Sequence, residues 1–271
     1  MPVITKVSSQ KRPGRYNIFL DGQYAFSASE QTVAEFMLLK GQELTPEKLA
    51  TVKKFDADSK ATNLASNYLS YQARTVYEVL QYLKKHEIDD EAAQSAVTQL
   101  SAMGFLDDRK YTALSIKQSL RSGTDGPLTL TRKLTQKGID PAIIQEELSA
   151  IADEDWLDTG LRVLKSLKSQ IGKVSERELQ RKMNSKLMSH GFSSGIASLV
   201  IAEIDLEPDD EAQVEALKKQ GVKAYKRFRR LPESERDRKI RNYLFTHGFA
   251  SNEIDAFLAG EIIPLAELAE Y

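Results

Sequence analysis

The sequence predicts a mainly α protein: tandem three-helix repeats in an elongated, curved array, preceded by a small N-terminal β-hairpin or meander arm. Three observations carry this. A fifteen-residue block recurs four times at near-constant spacing, apolar residues fall three and four apart from residue 45 onward, and strand-like alternation is confined to the first thirty positions. Composition agrees, since 41% of the 271 residues are hydrophobic, 28% are charged, and only 14 Gly and 8 Pro are present.

In the arm, Val3, Ile4, Thr5, Lys6 and Val7 read as a strand, Arg12-Pro13-Gly14 as a turn, and residues 16–20 as a second strand. Asp21-Gly22 supplies the positive-φ pair of a tight hairpin before a third strand from Gln23 to Phe26. Three short strands are marginal alone, so the arm should pack on a neighbour such as the helix read over residues 30–39, which Lys40-Gly41 would stop. The arm and this helix make up residues 1–44. Thr45 before Pro46 is an N-cap followed by proline at the first helical position, and it opens a connecting helix over residues 45–64.

The repeated blocks begin at Leu83, Leu134, Leu187 and Leu244, with successive starts 51, 53 and 57 residues apart. Gly138, Gly191 and Gly248 fill the column just past a helix, where a left-handed residue ends it; Glu87 is the exception. The next column is apolar throughout, with Ile88, Ile139, Phe192 and Phe249. Asp89, Asp140 and Ser193 then cap a second helix. Thr75-x-x-Glu78 and Ser175-x-x-Glu178 have capping-box spacing at the starts of first helices. A third helix is expected after each block, from Asp107-Asp108, over residues 156–171, and from Asp209-Asp210, with the fourth cut short at 261–271. The expected repeats are therefore 65–122, 123–171, 172–224 and a truncated 225–271.

No catalytic, metal or cofactor-binding residues are assigned. The chain has no Cys, which removes disulfides, thiolate zinc sites and cysteine nucleophiles. Its histidines, His86, His190 and His247, share one repeat column with Lys137, so the common property is a cation in the last turn of a helix. One such residue per repeat does not converge on a metal. No phosphate-loop pattern appears, and Gly123-Thr124-Asp125-Gly126-Pro127 reads as a linker. No stretch approaches the ~20 apolar residues of a membrane span, and the N-terminus has no secretory pattern, so a cytoplasmic protein without membrane contact is expected.

The 38 basic and 39 acidic residues nearly cancel, yet their distribution is uneven. Residues 223–241 hold nine basic against three acidic side chains, with Tyr225 and Phe228 among them, whereas residues 203–215 hold seven acidic and no basic ones. The candidate contacts here are Lys223, Lys226, Arg227, Arg229, Arg230, Arg238, Lys239 and Arg241. A second cluster, Arg177, Arg181, Lys182 and Lys186, has near-turn spacing, and Arg74, Arg132 and Lys133 lie near equivalent first helices. Such faces fit phosphates or acidic protein surface.

Residues 68–80, YLSYQARTVYEVL, together with Gly104-Phe105-Leu106-Asp107-Asp108 and Gly126-Pro127 followed by Leu134 and Lys137-Gly138-Ile139, resemble the RecX regulators of the bacterial recombinase RecA. The resemblance covers most of residues 60–260, and the arm resembles the N-terminal extension of longer members. Gln72 departs from the usual basic residue and Glu87 from the usual glycine. The resemblance implies a cytoplasmic, monomeric protein of DNA repair, homologous recombination and the SOS response. It implies binding to the RecA filament on single-stranded DNA and modulation, mostly inhibition, of its recombinase, ATPase and co-protease activities, with no catalysis, cofactor or small-molecule substrate. The alternative reading is a helical module that binds single- or double-stranded DNA without RecA.

Overall fold

Strands β1 (Ile4–Ser9), β2 (Arg15–Leu20) and β3 (Gln23–Ser29) form an antiparallel sheet in the order β1-β2-β3 in the computed structural model, which describes residues 1–11, 13–204 and 210–270. Asp21 and Gly22 have φ of 48° and 86°, the pair a tight hairpin turn demands. Arg12 of the expected first turn lies outside the described residues. One face of the sheet buries Ile4, Ile18, Phe26 and Ala28 against Leu38, Leu44 and Val52.

Helix α1 (Glu30–Glu35) is shorter than the 30–39 expected. Met37 swings to φ 47° and Leu38 N–H bonds the Val33 carbonyl at 3.0 Å, which turns Leu38 into the arm's core. Burial of that leucine ends the helix before Lys40-Gly41 is reached. Helix α2 (Pro46–Tyr71) starts as its sequence indicates, with the Thr45 hydroxyl accepting from Lys48 N–H at 3.2 Å. Asp56 on α2 fastens the arm: it accepts from Ser29 N–H at 2.6 Å, from the Thr32 hydroxyl at 2.9 Å and from the Arg15 guanidinium at 3.0 Å.

The remaining helices are α3 (Val76–Lys85), α4 (Asp90–Ala102), α5 (Asp108–Ser122), α6 (Pro127–Gln136), α7 (Pro141–Ser149), α8 (Leu157–Leu164), α9 (Glu176–Ser189), α10 (Ser194–Glu203), α11 (Asp210–Phe228), α12 (Glu233–Thr246), α13 (Ser251–Leu258) and α14 (Leu265–Glu270). The four sequence blocks become α3–α4, α6–α7, α9–α10 and α12–α13. Asp89 caps Ala92 N–H and Ser193 caps Ile196 N–H, while Asp140 accepts from Ala142 N–H. The helix expected over 156–171 is α only through α8, flanked by 3-10 turns at Asp153–Trp156 and Lys165–Gln170. Leu164 and Leu167 are both buried three residues apart, and a 3-10 turn is what brings positions i and i+3 onto one line. Asp209, expected at the start of α11, lies outside the described residues.

The chain divides into two compact units, Met1–Ala113 with Leu134–Ile144, and Leu114–Lys133 with Gln145–Tyr271. In the first, Ala61 and Ala65 of α2 pack with Val79 and Leu83 of α3, Ile88, and Ala92, Ala96, Val97 and Leu100 of α4. In the second, Ala216, Leu217 and Ala224 of α11 pack with Ile240 and Leu244 of α12, Phe249, and Ile254 and Phe257 of α13. Each core thus groups an aligned pair with the helix before it, whereas the sequence pattern had attached the helix after it. Alanines on α2 and α11 make the difference, because small side chains let a long helix approach the pair closely.

Candidate partner-binding surface

A single device joins neighbouring repeats. The Thr75 hydroxyl, N-cap of α3, accepts from Glu78 N–H at 3.2 Å and donates to the Lys137 carbonyl at 2.7 Å, where α6 ends. Ser175, N-cap of α9, accepts from Glu178 N–H and donates to the His247 carbonyl at the end of α12. Between them, Gly126 N–H donates to the His190 carbonyl at 2.8 Å and Leu128 N–H to the Gly191 carbonyl at 3.0 Å. Gly126 is buried, so residues 123–127 are more than the linker expected. In every case an orphan carbonyl at one helix's C-terminus is satisfied by the N-terminus of another, and opposite dipole ends meet.

This contact explains the glycine column. A Cβ at Gly138 would overlap the Tyr77 side chain, one at Gly191 would overlap Thr129, and one at Gly248 would lie 2.7 Å from the Ser175 hydroxyl. Glu87 adopts the same left-handed backbone, φ 59°, and is exposed. Close approach, more than the backbone angle, is what requires glycine in the later copies.

At the first junction Lys137 Nζ reaches Glu78 Oε1 at 2.6 Å, and Glu78 Oε2 accepts from Thr75 N–H at 3.0 Å, completing the capping box. Burial pushes the Glu78 carboxyl up, but the Lys137 ammonium and the Thr75 N–H outweigh it, so its pKa falls below the ordinary value. Burial also works against the Lys137 charge, and Glu78 with Tyr111 more than compensate, raising its pKa. The second capping box forms only half: Ser175 accepts from Glu178 N–H, yet Glu178 Oε2 has no partner, and Oε1 pairs with Lys182 at 2.9 Å.

The basic residues divide by how far they are already engaged. Arg74 is the least available: its guanidinium lies 4.4 Å from the Tyr68 ring centroid and 4.0 Å from Glu78, with its side chain 21% exposed. Lys133 pairs with Asp125 at 2.5 Å, Lys182 also bonds Gln170, Lys186 bonds Ser166 at 2.5 Å, and Arg241 pairs with Asp255 at 2.5 Å. Arg132, Arg177 and Arg181 are exposed, as are Lys223 and Arg230 near the end of α11 and Arg238 and Lys239 on α12, while Lys226 and Arg229 are exposed but already interact within the chain and Arg227 lies 5.4 Å from the Phe228 ring centroid. The α9 cluster is therefore two pairs. Arg177 and Arg181 point to solvent, while Lys182 and Lys186 are held by their own chain.

Two apolar residues escaped the charge-based reading. Met188 is 50% exposed and Phe245 61% exposed, and both occupy the second column of the repeated block. Their signal was available: Leu187 and Leu244 fill the core, and the residue next along a helix cannot face the same way. Seven residues earlier, two full turns, stand Arg181 and Arg238. Helices α9 and α12 thus present the same arginine and large apolar residue on one exposed face, where α3 has Tyr77 with Lys84 and α6 has Leu128 with Thr135.

The histidines end three separate helices: His86, His190 and His247 are the C-cap residues of α3, α9 and α12. His190 Nδ1 is 2.9 Å from the Thr124 carbonyl, and His247 Nδ1 is 2.7 Å from the Tyr243 carbonyl. No group of three or more potential metal ligands lies together among the described residues. None of the described helices is long and apolar enough to cross a membrane.

Comparison with known proteins gives this scaffold a family. Residues 2–45 match the regulatory protein RecX N-terminal domain, residues 61–100 the first three-helix domain of RecX, and residues 210–258 its third. The regulatory protein RecX of Lactobacillus gasseri is 54% identical over 271 residues, spanning the whole of both chains. The chain belongs to the RecX family. A RecX relative from Bacillus licheniformis is 36% identical over 95% of this chain and 98% of its own. A crystal structure of regulatory protein RecX, 30% identical, matches with a TM-score of 0.61 over 74% of this chain and all of the other. The RecX from Lactobacillus salivarius matches with 30% identity and a TM-score of 0.53 over 56% of this chain and 98% of its own. The matched RecX three-helix domains cover α3–α4 with the end of α2, and α11–α13, the grouping the cores show.

The RecX-like Gly104-Phe105-Leu106-Asp107-Asp108 motif has a separate job for most of its residues. Gly104 turns the chain at φ 76°, Leu106 is buried, and Asp107 caps α5 by accepting from Lys110 N–H at 2.9 Å. Asp108 reaches back to accept from Val76 N–H at 3.0 Å, and burial raises its pKa. Phe105 is left 67% exposed.

Proposed function

We propose that this protein regulates the RecA recombinase: it binds the RecA filament on single-stranded DNA and restrains its recombinase, ATPase and co-protease activities. It acts in the cytoplasm as a monomer, through binding alone, in DNA repair and the SOS response. RecX membership supports the regulatory role. The observation that carries the surface is the repeated face of α9 and α12, Arg181 with Met188 and Arg238 with Phe245, flanked by the basic end of α11. An arginine two turns from an exposed apolar side chain suits a protein surface, which offers a carboxylate and a pocket together, better than it suits bare phosphate.

The test is RecA's ATP hydrolysis and strand exchange on single-stranded DNA with increasing amounts of the purified protein. Saturable inhibition that weakens with salt is expected. No effect at saturating protein would sink the proposal. Tight, salt-sensitive binding to bare duplex with no response from RecA would favour the DNA module instead.

A further inference from the structure

The sheet of the arm has a second face that its core does not use. Bulges in β1 and β3 place Lys6, Phe19 and Tyr24 in register across the three strands, and the adjoining row on the same face is Ser8, Asn17 and Ser27. Lys6 Nζ lies 5.5 Å from the Phe19 ring centroid, and Phe19 meets Tyr24 edge to face at 6.0 Å. Neither ring joins the arm's buried cluster, and Tyr24 is 59% exposed. Residues 1–29 carry four basic side chains against one acidic one, in a chain whose net charge is −1.

An aromatic row edged by lysine, beside a row of hydroxyl and amide groups, is the chemistry that holds unpaired bases. Every base has a face to stack, the lysine meets phosphate, and the Ser8 hydroxyl and the Asn17 amide N–H offer hydrogen bonds to base edges, the Asn17 amide oxygen being taken by Gln10 and the Ser27 hydroxyl by Arg15. Duplex DNA keeps its base faces stacked internally and gives such a row nothing to stack on. We propose that the outer face of the β1-β2-β3 sheet is a binding platform for single-stranded nucleic acid, with Tyr24 and Phe19 as stacking residues and Lys6 as the phosphate contact. The inference rests on the functional reading above for its choice of ligand, since there the filament's strand is single.

The experiment uses the full-length chain carrying Tyr24→Trp and an unlabelled oligo(dT) strand. Trp156, the chain's one native tryptophan, is buried, so the parent supplies the background. Stacking should quench emission from the introduced indole saturably, leaving the parent's emission unchanged. Tyr24→Ala and Lys6→Ala, both at exposed positions whose loss leaves the thermal melt in place, should each weaken binding of a labelled oligo(dT), about tenfold for Tyr24. Absence of quenching at saturating oligonucleotide overturns the platform, as does tighter binding of a matched duplex. The two readings fail separately. If the parent inhibits RecA while the Tyr24→Trp variant shows no quenching, only the platform falls; if that variant is quenched and RecA does not respond, the regulatory reading falls and the platform stands.

Discussion

Gly191 and Glu87 share a column and a left-handed backbone, yet they should respond to substitution in opposite ways. Gly191→Ala places a methyl group against Thr129 at φ 87° and is expected to cost roughly 2–3 kcal/mol, read as a drop in the urea midpoint. Glu87→Gly relieves a left-handed backbone at an exposed side chain, and should be neutral or stabilising by up to about 1 kcal/mol. Glu78 gives a pH signature. Its folded pKa lies below the ordinary 4.5, so its contribution is present above that pH and fades as the pH falls through the lowered value. Lys137 lies above 10.5, so its contribution is complete below that pH and lost as the pH rises through the raised value. Asp108 runs the other way, because burial favours its proton and stability declines as it ionises above 3.8. Glu78→Gln should therefore cost about 1 kcal/mol at neutral pH, a modest figure because the pair is partly solvated. Urea midpoints measured down to acid should show the two proteins converging.

Among elements, the attachment of the arm to α2 depends on one carboxylate accepting three hydrogen bonds. Asp56→Ala leaves Ser29 N–H and Arg15 without that partner, with an expected loss of about 2–3 kcal/mol felt first in the arm. Amide exchange should quicken in β3 and α1 while α11–α13 keep their protection. The elements themselves were largely legible in the sequence, because caps and apolar spacing are local: Thr45-Pro46, Asp89 and Ser193 each act within four residues of themselves. What the sequence hid was pairing over distance. Thr75 meets the carbonyl of a residue 62 positions away and Ser175 one 72 positions away, and no periodicity encodes which turn a helix start will meet. The exception at Glu87 was visible in the alignment, but its meaning needed the junction. The phase of the repeat was hidden for the same reason, since small alanines on α2 and α11 decide which long helix closes each core.

For the whole molecule, the proposed contact surface makes a distinct prediction. Arg181→Glu with Arg238→Glu should weaken inhibition of RecA's ATPase at least tenfold with unchanged thermal stability, because both side chains are exposed. Met188→Ala with Phe245→Ala should weaken it at both low and high salt, which separates apolar contact from charge. The clusters were readable in composition, but the engagement of Arg74, Lys182 and Arg241 with their own chain was not. Their partners Tyr68, Gln170 and Asp255 are set by packing.

Neighbours that join by a single rule leave an unused half at each end of a series, the condition under which copies grow into an open polymer. Here both halves are blunted. Glu87 carries a Cβ where every joined turn has none, and Pro232, the N-cap of α12, offers neither a hydroxyl nor an N–H. The parent is expected to keep one mass at rising concentration in sedimentation velocity, and Glu87→Gly with Pro232→Ser to gain concentration-dependent mass. Two residues, Glu87 at one unjoined turn and Pro232 at one unjoined helix start, then keep the joining rule from acting between copies.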